Sequence, residues 1–230
     1  MQIHKLCKPD LIAPGVDIIA SWSPISIEGR KLGFNIVSGT SMAYPYVSCA
    51  AGCIKSFRPI WSLCCYPISL MTTAKQLSAT NNQDAEFAYG AGQIDPVKVL
   101  NPNLIYDAGK MAYIRLLCKL VYNKSVFSKG CYNISYNSRG CYNVSYISVE
   151  DLNYPSFALR ALNPHIVRGT FKRTVTNIGS PSGTFMAVSN GLNISVKSVV
   201  LSFTSIGKKK TFILTIDGSI KESIISASLI

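Results

Sequence analysis

The chain has 230 residues and a formal net charge of +12, from 23 lysines and arginines against 11 aspartates and glutamates. Hydrophobic residues make up 48% of the chain and charged residues 15%, a composition that excludes an intrinsically disordered chain and a coiled coil. A chain of this length predicts one large domain or two ordinary ones, with enough residues to bury a core.

The positive charge raises the question of a nucleic-acid or membrane partner. The basic residues are scattered, and their only run, residues 208–210, is not part of a recognised nucleic-acid-binding motif. The most apolar stretch, 104–122, contains four charged residues, whereas a spanning helix needs about 20 mostly apolar ones. The N-terminus lacks the apolar centre of a signal peptide. We therefore expect no nucleic acid, no membrane and no signal peptide in this chain.

The eight cysteines do not form the pattern of a metal site. No C-x-x-C pair occurs and only two histidines are present, so we predict no metal ion and no cofactor. Cys49 and Cys53 lie in an alanine- and glycine-rich stretch, which predicts small buried residues. Two of the three cysteines Cys118, Cys131 and Cys141 could form a disulfide in an oxidising compartment, and the sequence leaves their pairing open.

Four N-x-[ST] sequences support a secretory compartment, because such asparagines are glycosylated only in secreted proteins. Three of the four lie close together in one polar, tyrosine-rich segment, which is the informative part of the signal. The candidate glycosylation sites are Asn123, Asn133, Asn143 and Asn193.

Three regions of the chain differ in composition. Residues 1–112 mix helix and strand patterns and contain many alanines, glycines and prolines. Residues 113–150 begin as an amphipathic helix and continue into a tandem repeat, G-C-Y-N-I-S-Y at 130–136 and G-C-Y-N-V-S-Y at 140–146. Two copies are too few for a repeat architecture, so we interpret them as a local duplication in a linker.

The third region, residues 151–230, has the pattern of an all-β domain. Polar and apolar residues alternate over 170–177 and 210–217, and residues 193–203 are rich in β-branched side chains. Asp217-Gly218 is a turn signal. Short strands at this spacing predict a β-sandwich, and because the chain ends while still strand-like, we expect the sandwich to be truncated at its C-terminus.

The sharpest local feature is a strand, a tight turn and a helix around Ser41. Apolar Phe34 and Ile36 predict a buried strand, Gly39 permits the turn, and an alanine-rich helix is predicted to run to about Phe57. Ser41 then lies at the helix N-terminus, where free N–H groups and the helix dipole stabilise a developing oxyanion. The alternative interpretation is simpler, because a serine before a helix is most often only an N-cap.

The stretch resembles the nucleophile motif G-T-S-M-A-x-P of subtilisin-like serine peptidases. Ser41 matches the nucleophile, and the surrounding motif residues are Gly39, Thr40, Met42, Ala43 and Pro45. Further blocks resemble the plant, cucumisin-like branch of this family in order and spacing. They lie at residues 8–15, 59–62, 71–74, 87–92, 101–107, 151–156 and 173–177.

This resemblance implies a fold and a function. Residues 1–112 would form the C-terminal portion of an α/β subtilisin-like peptidase domain, and residues 113–150 a helix and glycosylatable linker. Residues 151–230 would form a fibronectin type III-like β-sandwich in contact with the peptidase domain. The implied function is that of a hydrolase, a serine endopeptidase that cleaves protein or peptide substrates. The implied location of the full-length family member is extracellular, in the plant cell wall or apoplast.

The resemblance also predicts what this chain lacks. The family's catalytic Asp lies in a D-T-G motif and its His in H-G-T-H, both upstream of the serine, and neither string occurs here. The only upstream histidine, His4, lacks the glycine context. We therefore interpret the chain as a fragment that is inactive by itself. The alternative is a non-catalytic, truncated product that acts as a protein-binding module through its β-sandwich.

Two departures from the family pattern bear on packing. Tyr44 and Tyr46 replace a small Cys and a His beside the site, and would overpack the core if they pointed inward. Pro67 falls where the family has a helix, in which an interior proline costs about 3 kcal/mol.

Overall fold

A computed structural model describes residues 8–23, 33–78, 82–109, 111–113, 115–116, 151–159, 166–186, 189–190, 194–219 and 228–229. The chain forms two compact units, which divide between residues 102 and 103. In the described parts of the chain, no helix is both long enough and apolar enough to cross a membrane.

The first unit, within residues 7–102, combines a small sheet with helices. Strand β1 (Ile18–Ser21) pairs antiparallel with β2 (Phe34–Val37), and the predicted helix follows as α1 (Thr40–Phe57). In the described residues of this unit, two shorter helices and a 3-10 turn follow. They are α2 (Cys65–Thr72), α3 (Glu86–Tyr89) and the turn Lys98–Leu100.

Helix α1 contributes only a narrow strip of its surface to the core of the first unit. Ala50 and Ile54 are the buried residues of α1, and they pack with Tyr66 and Leu70 of α2 and with Val99 of the 3-10 turn. These two positions lie four residues apart, so they form a single line along one face of the helix.

The prediction that Cys49 and Cys53 are buried is wrong, because both are exposed. Each precedes a buried residue of α1 by one position, and one position rotates a side chain by about 100° around a helix. The small side chain of cysteine and its alanine- and glycine-rich surroundings were therefore not enough to predict burial. The position around the helix decided it.

The prediction of a buried strand before the turn is also wrong. The β2 strand forms, but Phe34 and Ile36 are 66% and 63% exposed, and Ile19, paired with Ile36, is exposed as well. Within the described ranges, β1 and β2 form a sheet of only two strands, so nothing there covers this apolar row.

Pro67 does not break α2. The helix begins at Cys65, so Pro67 lies in the first turn, where a backbone N–H has no intrahelical partner to lose. The predicted cost of an interior proline therefore does not arise.

Three segments that are distant in sequence meet beside the helices. Ile12 donates its N–H to the Gly92 carbonyl and accepts from the N–H of Ile94, both at 2.9 Å. Lys75 and Gln93 exchange two backbone hydrogen bonds of 2.7 and 2.9 Å. A Cβ atom on Gly92 would lie 2.1 Å from the Lys75 carbonyl oxygen, so only glycine fits this close approach.

The second unit, within residues 103–230, is built from strands. A four-stranded antiparallel sheet has the order β3-β4-β9-β7, and two further pairs are β5 with β8 and β6 with β10. The strands are β3 (Leu104–Ile105), β4 (Ile166–Asn177), β5 (Gly183–Met186), β6 (Ser189–Asn190), β7 (Ile194–Lys197), β8 (Val200–Phe203), β9 (Lys209–Ser219) and β10 (Ser228–Leu229).

Strands β4 and β9 form the centre of this unit through eleven residue pairs. Their alternation directs Phe171 of β4 and Leu214 of β9 to the same buried side, where Leu201 and Phe203 of β8 pack against them. The core therefore lies between the four-stranded sheet and the β5–β8 pair, as binary patterning of the sequence predicts.

Tertiary pairing divides one β-branched run of the sequence and corrects one predicted turn. Within 193–203, Ser198 has a φ of +70° and separates β7, which pairs with β9, from β8, which pairs with β5. Asp217 and Gly218 do not form a turn, because β9 continues through both. The long ladder continues there, with Asp217 opposite Arg168 and the two side chains joined by an ion pair of 3.1 Å.

Arg173 is the most unusual residue of the sheet core, since its side chain is only 2% exposed. Its Nε donates to the Tyr154 carbonyl at 2.8 Å and its Nη1 to the Lys172 carbonyl at 3.1 Å. The guanidinium also lies over two aromatic rings, 4.7 Å from that of Phe157 and 5.3 Å from that of Phe171. Burial lowers the pKa of Arg173 to about 10, and nearby anionic groups partly oppose the shift. The arginine thereby joins residues 154–157 to β4.

We expect Arg173→Lys to lower the free energy of unfolding by about 2–4 kcal/mol, because an ammonium cannot reproduce the forked hydrogen bonds or the stacking of a buried guanidinium. Urea denaturation followed by far-ultraviolet circular dichroism measures the change. Lys172→Gln is the matched control on the neighbouring, exposed side chain and should change stability by less than about 0.5 kcal/mol. Equal stability of the two variants would contradict the role assigned to Arg173.

Candidate active site

The segment that enters α1 is joined to residues 15–18 by consecutive hydrogen bonds. The ladder of β1 and β2 ends at the pair Ile18 and Val37. Beyond it, the Asp17 N–H donates to Ser38 Oγ at 2.9 Å, and that hydroxyl donates to Asp17 Oδ1 at 3.3 Å. The Gly39 N–H then donates to the Gly15 carbonyl at 2.7 Å. These bonds fix where the chain turns and where the helix begins.

Two glycines make this close approach possible. Gly39 has a φ of +155°, a conformation that L side chains rarely adopt. A Cβ atom on Gly15 would lie 2.9 Å from the Gly39 carbonyl oxygen and 3.1 Å from the Ala43 Cβ. The small residues of the two motif blocks therefore pack directly against each other. Sequence reasoning assigned Gly15 to a block but missed this contact, although a glycine in each block was the available signal.

Ser41 lies in the first turn of α1 and is exposed. The Gly39 carbonyl accepts from the N–H groups of Met42 and Ala43, so the N–H groups of Thr40 and Ser41 precede the first intrahelical bonds. The first turn contains no acidic side chain and no side-chain cap. The positive end of the helix dipole is therefore not neutralised from within the helix, which suits a position where negative charge develops.

The remaining motif residues shape the first turns of the helix. Pro45 lies inside α1 and has no N–H, so it cannot donate to the Ser41 carbonyl four residues earlier. Met42 and Ala43 are half-buried, whereas Tyr44 and Tyr46 are 73% and 45% exposed. The overpacking considered for these tyrosines does not occur, because neither points into the core.

Several residues singled out in the sequence lie outside the described ranges. The four candidate glycosylation sites, the tandem repeat and the cysteines at 118, 131 and 141 belong to this group, as do both histidines, His4 and His165. Among the residues that the structure describes, no three histidine, cysteine, aspartate or glutamate side chains come together as metal ligands.

Comparison with known proteins shows which family the sequence of this chain matches. A model of the subtilase family matches residues 2–92, and a model of the fibronectin type-III domain matches residues 151–230. The subtilisin-like proteases SBT4.6 and SBT4.3 of Arabidopsis thaliana are 38% and 36% identical over 245 and 244 residues. Each match covers 99% of this chain and 32% of the relative. The chain belongs to the subtilase family. This subtilase chain spans about a third of the length of the curated relatives it matches.

The family match covers both halves of the hydrogen-bonded turn, because Gly15 and Gly39 both lie within residues 2–92. The resemblance inferred from the motif blocks is thereby confirmed for this subtilase. Blocks that are separated in the sequence are neighbours in the structure, since residues 8–15 contact both residues 38–43 and residues 90–94.

We expect Gly15→Ala to lower the free energy of unfolding of the first unit by about 1–3 kcal/mol, because the new methyl group would overlap the turn before Ser41. Urea denaturation followed by tryptophan fluorescence reports on this unit, since both tryptophans, Trp22 and Trp61, lie within it.

The matched control is Gly52→Ala on α1, where a Cβ atom would meet nothing within 4 Å. This change should raise stability by about 0.5–1 kcal/mol, because alanine restricts the unfolded chain and favours a helix. If Gly15→Ala and Gly52→Ala unfolded at the same urea concentration, the proposed close packing at the turn would be refuted.

Proposed function

We propose that this chain supplies the nucleophile of a subtilisin-like serine endopeptidase, and that Ser41 is that nucleophile. The supporting observation is the exposed position of Ser41 in a first helical turn that lacks acidic side chains. The family match over residues 2–92 supports the same assignment, because Ser41 lies in the segment that resembles the family's nucleophile motif.

In the proposed reaction, Ser41 Oγ attacks the carbonyl carbon of the scissile peptide bond. The oxygen of the tetrahedral intermediate becomes negative, and the Ser41 N–H at the helix N-terminus helps to stabilise it. A histidine must take the hydroxyl proton and donate it to the leaving amine, while an aspartate orients that histidine. Protein or peptide substrates follow from this chemistry.

The sequence of this chain does not contain the family's D-T-G and H-G-T-H strings, which would supply the aspartate and histidine. A serine without a general base is a weak nucleophile. We therefore propose that the 230-residue chain does not cleave peptides by itself, and that the complete enzyme has its other catalytic groups in an upstream segment. We further propose that the complete protein is extracellular and glycosylated at Asn123, Asn133, Asn143 and Asn193.

The isolated chain should show no cleavage of fluorescently labelled casein above that of its Ser41→Ala variant. A fluorophosphonate probe, which reacts with activated serines, should likewise leave Ser41 unlabelled, because no base withdraws the proton. Turnover or labelling that Ser41→Ala abolishes would show that the chain contains its own base, and would overturn the proposed inactivity.

A chimaera tests the identity of the nucleophile directly. In the chimaera, this chain replaces the matching third of the Arabidopsis protease SBT4.6, so that upstream catalytic groups are supplied by the relative. The fluorophosphonate probe should then label the protein, and Ser41→Ala should abolish labelling. Ser48→Ala, on the exposed side of the same helix, should leave it unchanged. Labelling that survives Ser41→Ala would refute the assignment.

A second candidate function is that of a non-catalytic protein-binding module. The observation that favours it is an open sheet edge: β7 ends the four-stranded sheet, and within the described residues it pairs only with β9. Such an edge can accept a strand from a partner chain. A soluble monomer that unfolds cooperatively would favour the module, whereas aggregation of the isolated chain would favour a fragment of a larger protease.

A further inference from the structure

The positive charge of the protein is concentrated in its second half. Residues 103–230 contain 15 lysines and arginines against five aspartates and glutamates, so they carry +10 of the formal charge of +12. Residues 1–102 carry the remaining +2. Residues 151–230, which contain every described strand of the second unit except β3, carry +6 of the charge of the second half, from nine lysines and arginines against three aspartates and glutamates.

Part of this charge lies on one surface of the sheet. Strands β4, β9 and β7 bury alternate residues against the core, so the intervening side chains form the opposite surface of the sheet, which we call the outer face. The outer face consists of Ile166, Arg168, Thr170, Lys172, Thr174, Ser195, Lys197, Lys209, Thr211, Ile213, Thr215, Asp217 and Ser219.

Cations are spaced regularly across the outer face. Lys172 and Lys197 are paired with Ile213 from its two sides, so they lie two strand spacings apart, about 10 Å. Arg168 lies four residues along β4 from Lys172, about 13 Å away. Asp217 is the acidic residue of this face and forms an ion pair with Arg168. Lys172 and Lys197 are exposed, and together they leave the face net positive.

Hydroxyl groups lie in the two rows on either side of the row formed by Lys172, Ile213 and Lys197. Thr170, Thr215 and Ser195 form one row across the three strands, and Thr174 pairs with Thr211, with their Oγ1 atoms 2.9 Å apart. Most of these side chains are at least partly exposed to solvent and can donate or accept hydrogen bonds. The outer face therefore offers positive charge and hydroxyl groups along an extended sheet surface.

The composition of the outer face decides which partner fits it. A protein partner would need a cluster of apolar or aromatic anchors in pockets. The two large apolar side chains of this face, Ile166 and Ile213, lie six residue pairs apart along the β4–β9 ladder, about 20 Å. A single-stranded nucleic acid would need aromatic platforms for its bases, and the outer face has no aromatic residue. A linear polymer that alternates carboxylates with sugar hydroxyls needs neither, and matches both kinds of group that are present.

We propose that the outer face of the β4–β9–β7 sheet binds a linear acidic polysaccharide through Lys172, Lys197 and the surrounding hydroxyls. This binding goes beyond the proposed peptidase chemistry and does not require Ser41. It would hold the protein on a carboxylate-bearing matrix while leaving the first unit uninvolved in the contact.

Binding of the full chain to polygalacturonate, measured by biolayer interferometry at two salt concentrations, tests the proposal. We expect binding that weakens as salt rises and that becomes about tenfold weaker in the double variant Lys172→Gln, Lys197→Gln. The matched control is Lys55→Gln, Lys98→Gln, which removes the same charge from exposed positions of the first unit. The control should retain the affinity of the original chain, and dextran, which has no charge, should not bind.

Three outcomes would overturn the proposal. An equal loss in both double variants would show that net charge alone is responsible, and comparable binding of dextran would show that charge is not involved. Tighter binding of duplex DNA than of polygalacturonate would assign the face to nucleic acid. Urea denaturation of each variant shows whether it is folded, and a destabilised Lys172→Gln, Lys197→Gln variant would be replaced by Lys172→Met, Lys197→Met.

Discussion

The hydrogen bond from the Gly39 N–H to the Gly15 carbonyl is the constraint on which the candidate active site depends. It closes the end of the β1–β2 ladder, so the chain has to turn at residues 38–39 and begin α1 at once. Ile54 anchors the helix in the core. Ser41 consequently lies in an exposed first helical turn. The Gly39–Gly15 hydrogen bond fixes the chain before it, and the buried Ile54 fixes the helix after it. A change at Gly15 therefore acts on Ser41 through the backbone of Gly39.

The same segment explains why distant motif blocks occur together in one chain. Residues 8–15 contact residues 90–94 through Ile12 and the helix entry through Gly15. A glycine stands in each pair of segments: a Cβ atom on Gly90 would overlap the Asp10 carbonyl group, and one on Gly15 would lie 2.9 Å from the Gly39 carbonyl oxygen. The blocks are therefore parts of one packed arrangement.

In the second unit, a single alternating pattern has two consequences. Inward residues of β4 and β9 form the core, where Arg173 is tolerated because carbonyl oxygens and aromatic rings surround it. Outward residues of the same strands carry the cations and hydroxyls of the outer face. The β4–β9 and β7–β9 registers together place Lys172 and Lys197 in one row, because both are paired with Ile213. The core face and the outer face of the sheet therefore both follow from the alternation and pairing of these strands.

The sequence by itself determined the local elements and the family. It predicted α1 from its turn glycine and its alanine-rich composition, β4 and β9 from their alternation, and the subtilase resemblance from motif blocks in the family's order and spacing. Tertiary structure decided what those elements contact. Cys49, Phe34 and Ile36 look like core residues by composition, yet they are exposed, because burial depends on which layer faces a side chain. The split of 193–203 and the passage of β9 through Asp217 were likewise decided by strand pairing, since pairing energy between distant segments exceeds the weak preference of any short stretch.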